Sequence, residues 1–203
     1  MQSAEELFEE IRRAGLQLNN SWLIKQTNDL DSKTGHIYHC KTLADLTEFA
    51  KKLSLTESES NYATHRWRNF KRHEAWQSLI LENVPETRIE NDRHHKTIDF
   101  IIHTETGDVA FDLKVTRYPK SASEGLSNQQ LAEWFFSHQS REGRFHLANR
   151  FFVVGQPEDA LYNLSLARET ISLFARDMRS FRYFVEHDGG LTSRAVILRQ
   201  IAV

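Results

Sequence analysis

Thr97 to Thr104 reads TIDFIIHT and Val109 to Thr116 reads VAFDLKVT, with only Glu105-Thr106-Gly107-Asp108 between them. Both segments are rich in β-branched and aromatic residues, which favour extended backbone. The short polar link predicts an antiparallel hairpin. Side chains alternate across a strand, so Phe111, Leu113 and Val115 share one face, and Ala110, Asp112 and Lys114 share the other. The first face belongs to a core. The second sets an acid and a lysine side by side, about 7 Å apart along the backbone by the rise per residue. In the partner segment Asp99 interrupts an otherwise apolar run, and a charge in such a setting is costly unless it is paired or metal-bound.

The surrounding pattern alternates helix and strand. A helical stripe of Ala63, Trp67, Phe70, Gln77 and Leu81 predicts a long helix over about 62–81, closed by Pro85. Thr87 to Glu90 is a weak strand before the hairpin. A helix follows over 126–141, then a buried-type strand over 150–154 and a helix from Pro157 to about Met178. Segments 181–186 and 193–201 close the chain as strands around Asp188-Gly189-Gly190. Upstream, residues 3–15 read as a helix, 20–40 as two short strands or irregular structure around Trp22, Leu23, Ile24, Ile37 and Tyr38, and Leu43 to Leu53 as a helix capped by Thr42. The polar LTESESN after it is the expected boundary. It divides an N-terminal helical or mixed cap, 1–58, from a body, 59–203, that is mixed α/β with a central sheet flanked by helices.

Composition excludes some classes. With 203 residues, 39% hydrophobic and 27% charged, the chain has the make-up of a globular domain. No apolar run approaches the roughly 18 residues of a membrane span. The start, MQSAEELFEEIRR, lacks the basic and apolar stretches of a secretory signal. Cys40 is alone, which removes disulfide frameworks and cysteine zinc sites. The expected home is a reducing cytoplasm. Net charge is -2, yet His65 to His73 carries Arg66, Arg68, Lys71 and Arg72 with no acid among them. Such a run is either a phosphate-binding face or a solvated helix surface. Arg117, Tyr118 and Lys120, just after the second strand, and Arg176, Arg179 and Arg182 near the C-terminus form two further basic groups. His94-His95 is read as a surface or phosphate-contacting pair, and His103 as a partly exposed strand-end histidine.

Two neighbouring carboxylates repel, and a hard divalent cation resolves the conflict. Asp99, followed thirteen residues later by Asp112-Leu113-Lys114, resembles the PD-(D/E)XK nuclease superfamily, the restriction-endonuclease-like proteins. The α-β-β-β-α-β order of that superfamily is the order read above from Tyr62 to Val154. The resemblance covers about ninety residues and not the chain ends. Ile98 stands where the motif has proline, and Asp112 is the shorter of the two allowed acids.

The resemblance implies a magnesium-dependent DNA endonuclease, with manganese as substitute. Asp99 and Asp112 would be metal ligands and Lys114 the catalytic lysine. Glu74, four residues after Phe70 on the inward stripe, would be a further metal-binding acid on the first helix. Gln130, with Trp134 one turn on, matches an accessory glutamine of some relatives, although Gln129 is equally available. Arg66, Lys71, Arg72, Arg117 and Lys120 would meet the DNA backbone. A two-strand cut would favour a homodimer, in a restriction, defence or repair setting. RNA stays open as substrate, and the alternative class is a catalytically inactive nuclease-fold module that binds nucleic acid or a protein partner.

Overall fold

The computed structural model describes residues 2–18, 23–90, 98–120, 125–139, 149–184, 186–187, 190–191 and 196–202. The chain divides into two compact units, Met1–Ala75 and Trp76–Val203.

The first unit is helical among its described residues. Helix α1 spans Ala4–Gln17, α2 Asn28–Lys33 and α3 Leu43–Lys52, and a 3-10 turn occupies Gly35–His39. Helix α4, Glu57–Asn83, begins in this unit and continues into the second. Ser3 and Glu6 close a capping box on α1, and Thr42 and Asp45 close another on α3. Each such cap is worth about 1 kcal/mol. Ala14, Ile37, Cys40, Leu43, Leu46, Ala63 and Trp67 form the core. The Trp67 indole donates to the Cys40 carbonyl at 2.9 Å, and Arg68 Nε donates to the Ile11 carbonyl at 3.1 Å. Arg68 crosses Gly15 so closely that a Cβ there would meet its guanidinium at 2.5 Å.

One expectation fails in this unit. Between 23 and 40 the described residues form α2 and the 3-10 turn rather than strands, because the Thr27 side chain accepts from Leu30 N–H and starts a helix. Trp22 lies outside the described residues. The LTESESN stretch, the expected boundary, holds the start of α4. Thr56 and Glu59 bond reciprocally, Thr56 N–H to the Glu59 carboxylate at 2.8 Å and Glu59 N–H to the Thr56 hydroxyl at 3.3 Å, so the polar residues open α4.

The second unit is a mixed α/β fold: a six-stranded mixed sheet packed against helices. Its strands are β1 Thr87–Ile89, β2 Phe100–Thr104, β3 Gly107–Arg117, β4 Asn149–Gln156, β5 Arg182–Tyr183 and β8 Val196–Ala202, in the order β1-β2-β3-β4-β8-β5. Strands β6, Glu186–His187, and β7, Gly190–Leu191, pair separately. β1, β2 and β3 are an antiparallel meander, while β3, β4 and β8 run parallel and β5 returns antiparallel to β8. The predicted hairpin is tighter than its polar link, with Thr104 opposite Gly107. Gly107 has a φ of +118°, which favours glycine.

Helix α5, Asn128–Gln139, lies between β3 and β4 in the chain, the crossover a parallel pair requires. Its Leu131, Ala132, Phe135 and Phe136 pack on Phe152 and Val154 of β4 and on Val196 and Leu198 of β8. Helix α6, Leu164–Arg176, covers the other face, where Phe174 stacks on Phe151 with ring centroids 4.8 Å apart. The expected single helix from Pro157 is instead a 3-10 turn, Glu158–Tyr162, followed by α6. Asn163 breaks the run by turning its side chain to cap Leu166 N–H at 3.1 Å. Gly155 lets that 3-10 turn lie on β4, since a Cβ there would stand 2.4 Å from Leu161 Cγ. Among the described residues no helix is long and apolar enough to cross a membrane.

Candidate metal centre

The strand register places the motif residues. Phe100 pairs with Phe111 and Ile101 with Ala110, so Ile101, Ala110, Asp112 and Lys114 share one sheet face by alternation. Asp99 stands one residue before β2. Its N–H donates to the Phe111 carbonyl at 2.8 Å, and its Oδ2 accepts from Leu113 N–H at 2.6 Å. A carboxylate thus takes the place of a backbone acceptor beside β3 and is tied to the residue between Asp112 and Lys114.

Asp112 is only 4% exposed. Lys114 Nζ donates to its Oδ1 at 2.5 Å. From β4, Arg150 sits directly opposite in the register, with Nε 3.6 Å from Asp112 Oδ2. Arg150 is 2% exposed, and its guanidinium lies 5.5 Å from the centre of the Phe136 ring. Burial pushes the Asp112 carboxyl above its ordinary range. The Lys114 ammonium opposes that rise, the charge of Asp99 adds to it, and Arg150 opposes it again. The net direction is upward even with two cations alongside. This is the electrostatic condition in which a further positive charge stabilises the ionised acids.

Among the described residues no group of three His, Cys, Asp or Glu side chains is gathered to hold a metal ion. The acids near one another are Asp99 and Asp112, whose charges act on each other. That pair fits magnesium, which takes oxygen ligands and commonly keeps several waters beside one or two protein acids. Glu74, expected as a third ligand, lies in the first unit, where Lys71 Nζ holds its Oε2 at 2.7 Å.

The other expected residues fall in varied places. Arg66 is committed within the first unit: it lies 3.0 Å from Asp31 Oδ1 and donates to the hydroxyls of Thr34 at 2.7 Å and Tyr38 at 2.8 Å. Lys71 is 4% exposed and Arg72 9% exposed. The basic run on α4 is thus not the solvated phosphate-facing surface that charge alone predicts. Gln130 caps α5, its Oε1 accepting from Ser127 N–H at 2.9 Å while Ser127 Oγ accepts from Gln130 N–H at 3.2 Å. That task accounts for the residue without the site. Arg117 and Lys120 line a cavity of about 340 Å³ beyond the C-terminal ends of β3 and β4, with Arg117 Nη1 3.9 Å from Glu158 Oε2. His103 is exposed and bonds Asp108 at 2.8 Å. His94 and His95 lie outside the described residues.

The residue that sequence reading passed over is Arg150. Its signal was present: a lone arginine beside Phe151-Phe152-Val153-Val154, with the face parity of Phe152. Its partner could not be read locally, because Asp112 lies on another strand. Comparison with known proteins gives no match to a family model, to a curated protein or to a solved structure.

Proposed function

We propose that the chain is a divalent-metal-dependent DNA endonuclease of the PD-(D/E)XK kind, hydrolysing phosphodiester bonds with magnesium, or manganese in its place. The observation that carries this reading is the buried Asp112 carboxyl, raised in part by the charge of Asp99, with Lys114 bonded to it and Asp99 tied to the Leu113 N–H between them. Support comes also from the order α4, β1, β2, β3, α5, β4, with β3 and β4 parallel.

In this reading Asp99 and Asp112 hold the metal. When bound, the metal supplies Lewis-acid polarisation of a phosphate oxygen and a more acidic water. Lys114 contributes an ammonium whose side chain is 40% exposed beside the acids. It orients the attacking water and stabilises negative charge developing on the phosphate. The Leu113 N–H fixes one oxygen of Asp99, which limits the rotation of that carboxylate. Arg117 and Lys120 offer positive charge for the DNA backbone. A homodimer would supply two such centres for a duplex.

One observation favours a second reading. Lys114 and Arg150 already flank Asp112, as in a self-neutralised ion cluster, which suits a nuclease-fold module that binds without cutting. Incubation with supercoiled, linear duplex and single-stranded DNA, each with magnesium, manganese or chelator, separates the two. Cleavage that needs the metal and disappears in Asp112→Ala supports the endonuclease. Intact DNA in every metal condition, with no magnesium-dependent rise in melting temperature, overturns it in favour of the module.

A further inference from the structure

The sheet face opposite Asp112 carries a second feature. Strand alternation turns Phe111 and Val109 to that side, and the register adds Ile102 from β2 and Asn149 from β4. From the last strand comes Ile197, whose register partner Arg182 lies on the same face. These residues line a cavity of about 730 Å³, closed on one side by the 3-10 turn Met178–Phe181, which adds Met178 and Arg179. The volume lies in the range of small-molecule sites.

Chemistry divides the cavity in two. Ile102, Phe111 and Ile197, each at most 3% exposed, form an apolar floor. Arg179 and Arg182 stand at its margin, both exposed. The Arg182 guanidinium lies 4.7 Å from the centre of the Phe184 ring, a contact that restricts it while leaving its N–H donors available. Among the described residues neither arginine forms an ion pair with a carboxylate. Asp177, the nearest acid in sequence, is bonded chiefly by Ser180, and the Arg179 N–H and charge act on it more weakly. Glu105 is the one acid among the described lining residues, so the margin carries net positive charge.

We infer that this cavity binds a small organic anion, a phosphate or carboxylate joined to an apolar ring-sized body, with Arg179 and Arg182 on the anion and Ile102, Phe111 and Ile197 against the ring. The paired N–H donors of arginine suit the oxygens of either anion. The apolar floor rewards the ring by burial. The site is independent of the metal centre, since its residues face away from Asp112.

Calorimetric titration of the whole chain in chelator tests this with four probes: adenosine 5′-monophosphate, adenosine, indole-3-acetate and inorganic phosphate. The expected result is saturable binding of at least one ringed anion with Kd below about 1 mM, at least tenfold tighter than adenosine and phosphate. Preference for the monophosphate assigns the anion as phosphate, and preference for indole-3-acetate assigns it as carboxylate. Arg182→Ala and Arg179→Ala should each weaken binding about tenfold, while Asp112→Ala should leave it unchanged. Both arginines are exposed, so these variants keep the fold. Absence of saturable binding by either ringed anion overturns the inference. So does phosphate binding as tightly as the ringed anions, or affinity insensitive to both arginine variants. Loss of binding in Asp112→Ala would place the ligand at the metal centre instead.

Discussion

Asp31 in the helical unit and Asp112 in the sheet unit have similar company and opposite electrostatics. Asp31 accepts from the Tyr62 hydroxyl and from Gln26 Nε2 at 2.7 Å, and Arg66 lies 3.0 Å away. These bonds, Tyr62 first and Gln26 next, hold its carboxyl below the ordinary range. The Tyr62 hydroxyl is correspondingly pushed up to about 12, chiefly by burial and then by Asp31. Asp112 has a lysine and an arginine beside it, yet its carboxyl is raised. The side-chain exposures decide the difference: 28% for Asp31 and 6% for Asp112. An accessible acid keeps part of its hydration and gains hydrogen bonds, so its charge is favoured. A buried acid loses hydration that two cations do not fully restore. The first arrangement is complete as structure. The second opposes folding whenever Asp112 is ionised, a cost that the proposed metal would relieve.

The largest effect that can break this contrast is on cleavage. Asp112→Ala should lower the rate by at least about 10³-fold while the far-UV spectrum stays that of the parent. Asp31→Ala should cut DNA at the parent rate, and equal losses in the two variants would erase the distinction. Lys114→Ala should reduce turnover by about 10²–10³-fold with magnesium binding retained. A calorimetric loss of magnesium affinity in that variant would show that the lysine serves the acids and not the reaction.

Smaller effects concern stability. Gly155→Ala forces a methyl group against Leu161 and should cost about 1–3 kcal/mol by urea denaturation. Tyr62→Phe removes one donor from Asp31 and should cost about 1 kcal/mol. Parent-like stability in Tyr62→Phe would reduce the Asp31 cluster to a surface contact.

Melting temperature against pH, measured in chelator, sharpens the contrast by sign. Asp31 has a lowered folded-state pKa, so its contribution is present above the ordinary 3.8 and is lost as pH falls from there. Asp31→Asn should flatten that acid limb. Asp112 has a raised folded-state pKa, so the folded chain holds its proton more tightly than the unfolded one. Stability then declines as pH rises from 3.8 through the folded value. Asp112→Asn should remove that decline and melt no lower than the parent near neutrality. A variant that melts well below the parent would mean that Arg150 depends on the acid more than burial penalises it.

The elements legible in the sequence were those with local causes. The hairpin followed from two β-branched runs around Gly107, and α3 from the Thr42 cap. The shared face of Asp112 and Lys114 followed from alternation alone. What stayed hidden depended on partners distant in sequence. Arg66, Lys71 and Arg72 read as a positive surface because sequence shows charge and not the groups that enclose it. Thr56 sits in a polar stretch read as a boundary, and Asn163 inside a run read as one helix, until their side chains are seen bonding to backbone N–H groups. Arg150 gained meaning only through the parallel register that sets it opposite Asp112.

That register has a consequence for the order of events in folding. The meander β1-β2-β3 joins segments close in the chain and can form early, bringing Asp99 to Asp112 while both acids are still hydrated. The pairing of β3 with β4 must wait for the long loop through α5 to close, and it delivers Arg150 at the same moment that it strips water from Asp112. The pairing that covers Asp112 is thus the same pairing that sets Arg150 beside it, so burial of the acid and its second counter-charge are coupled through one strand register.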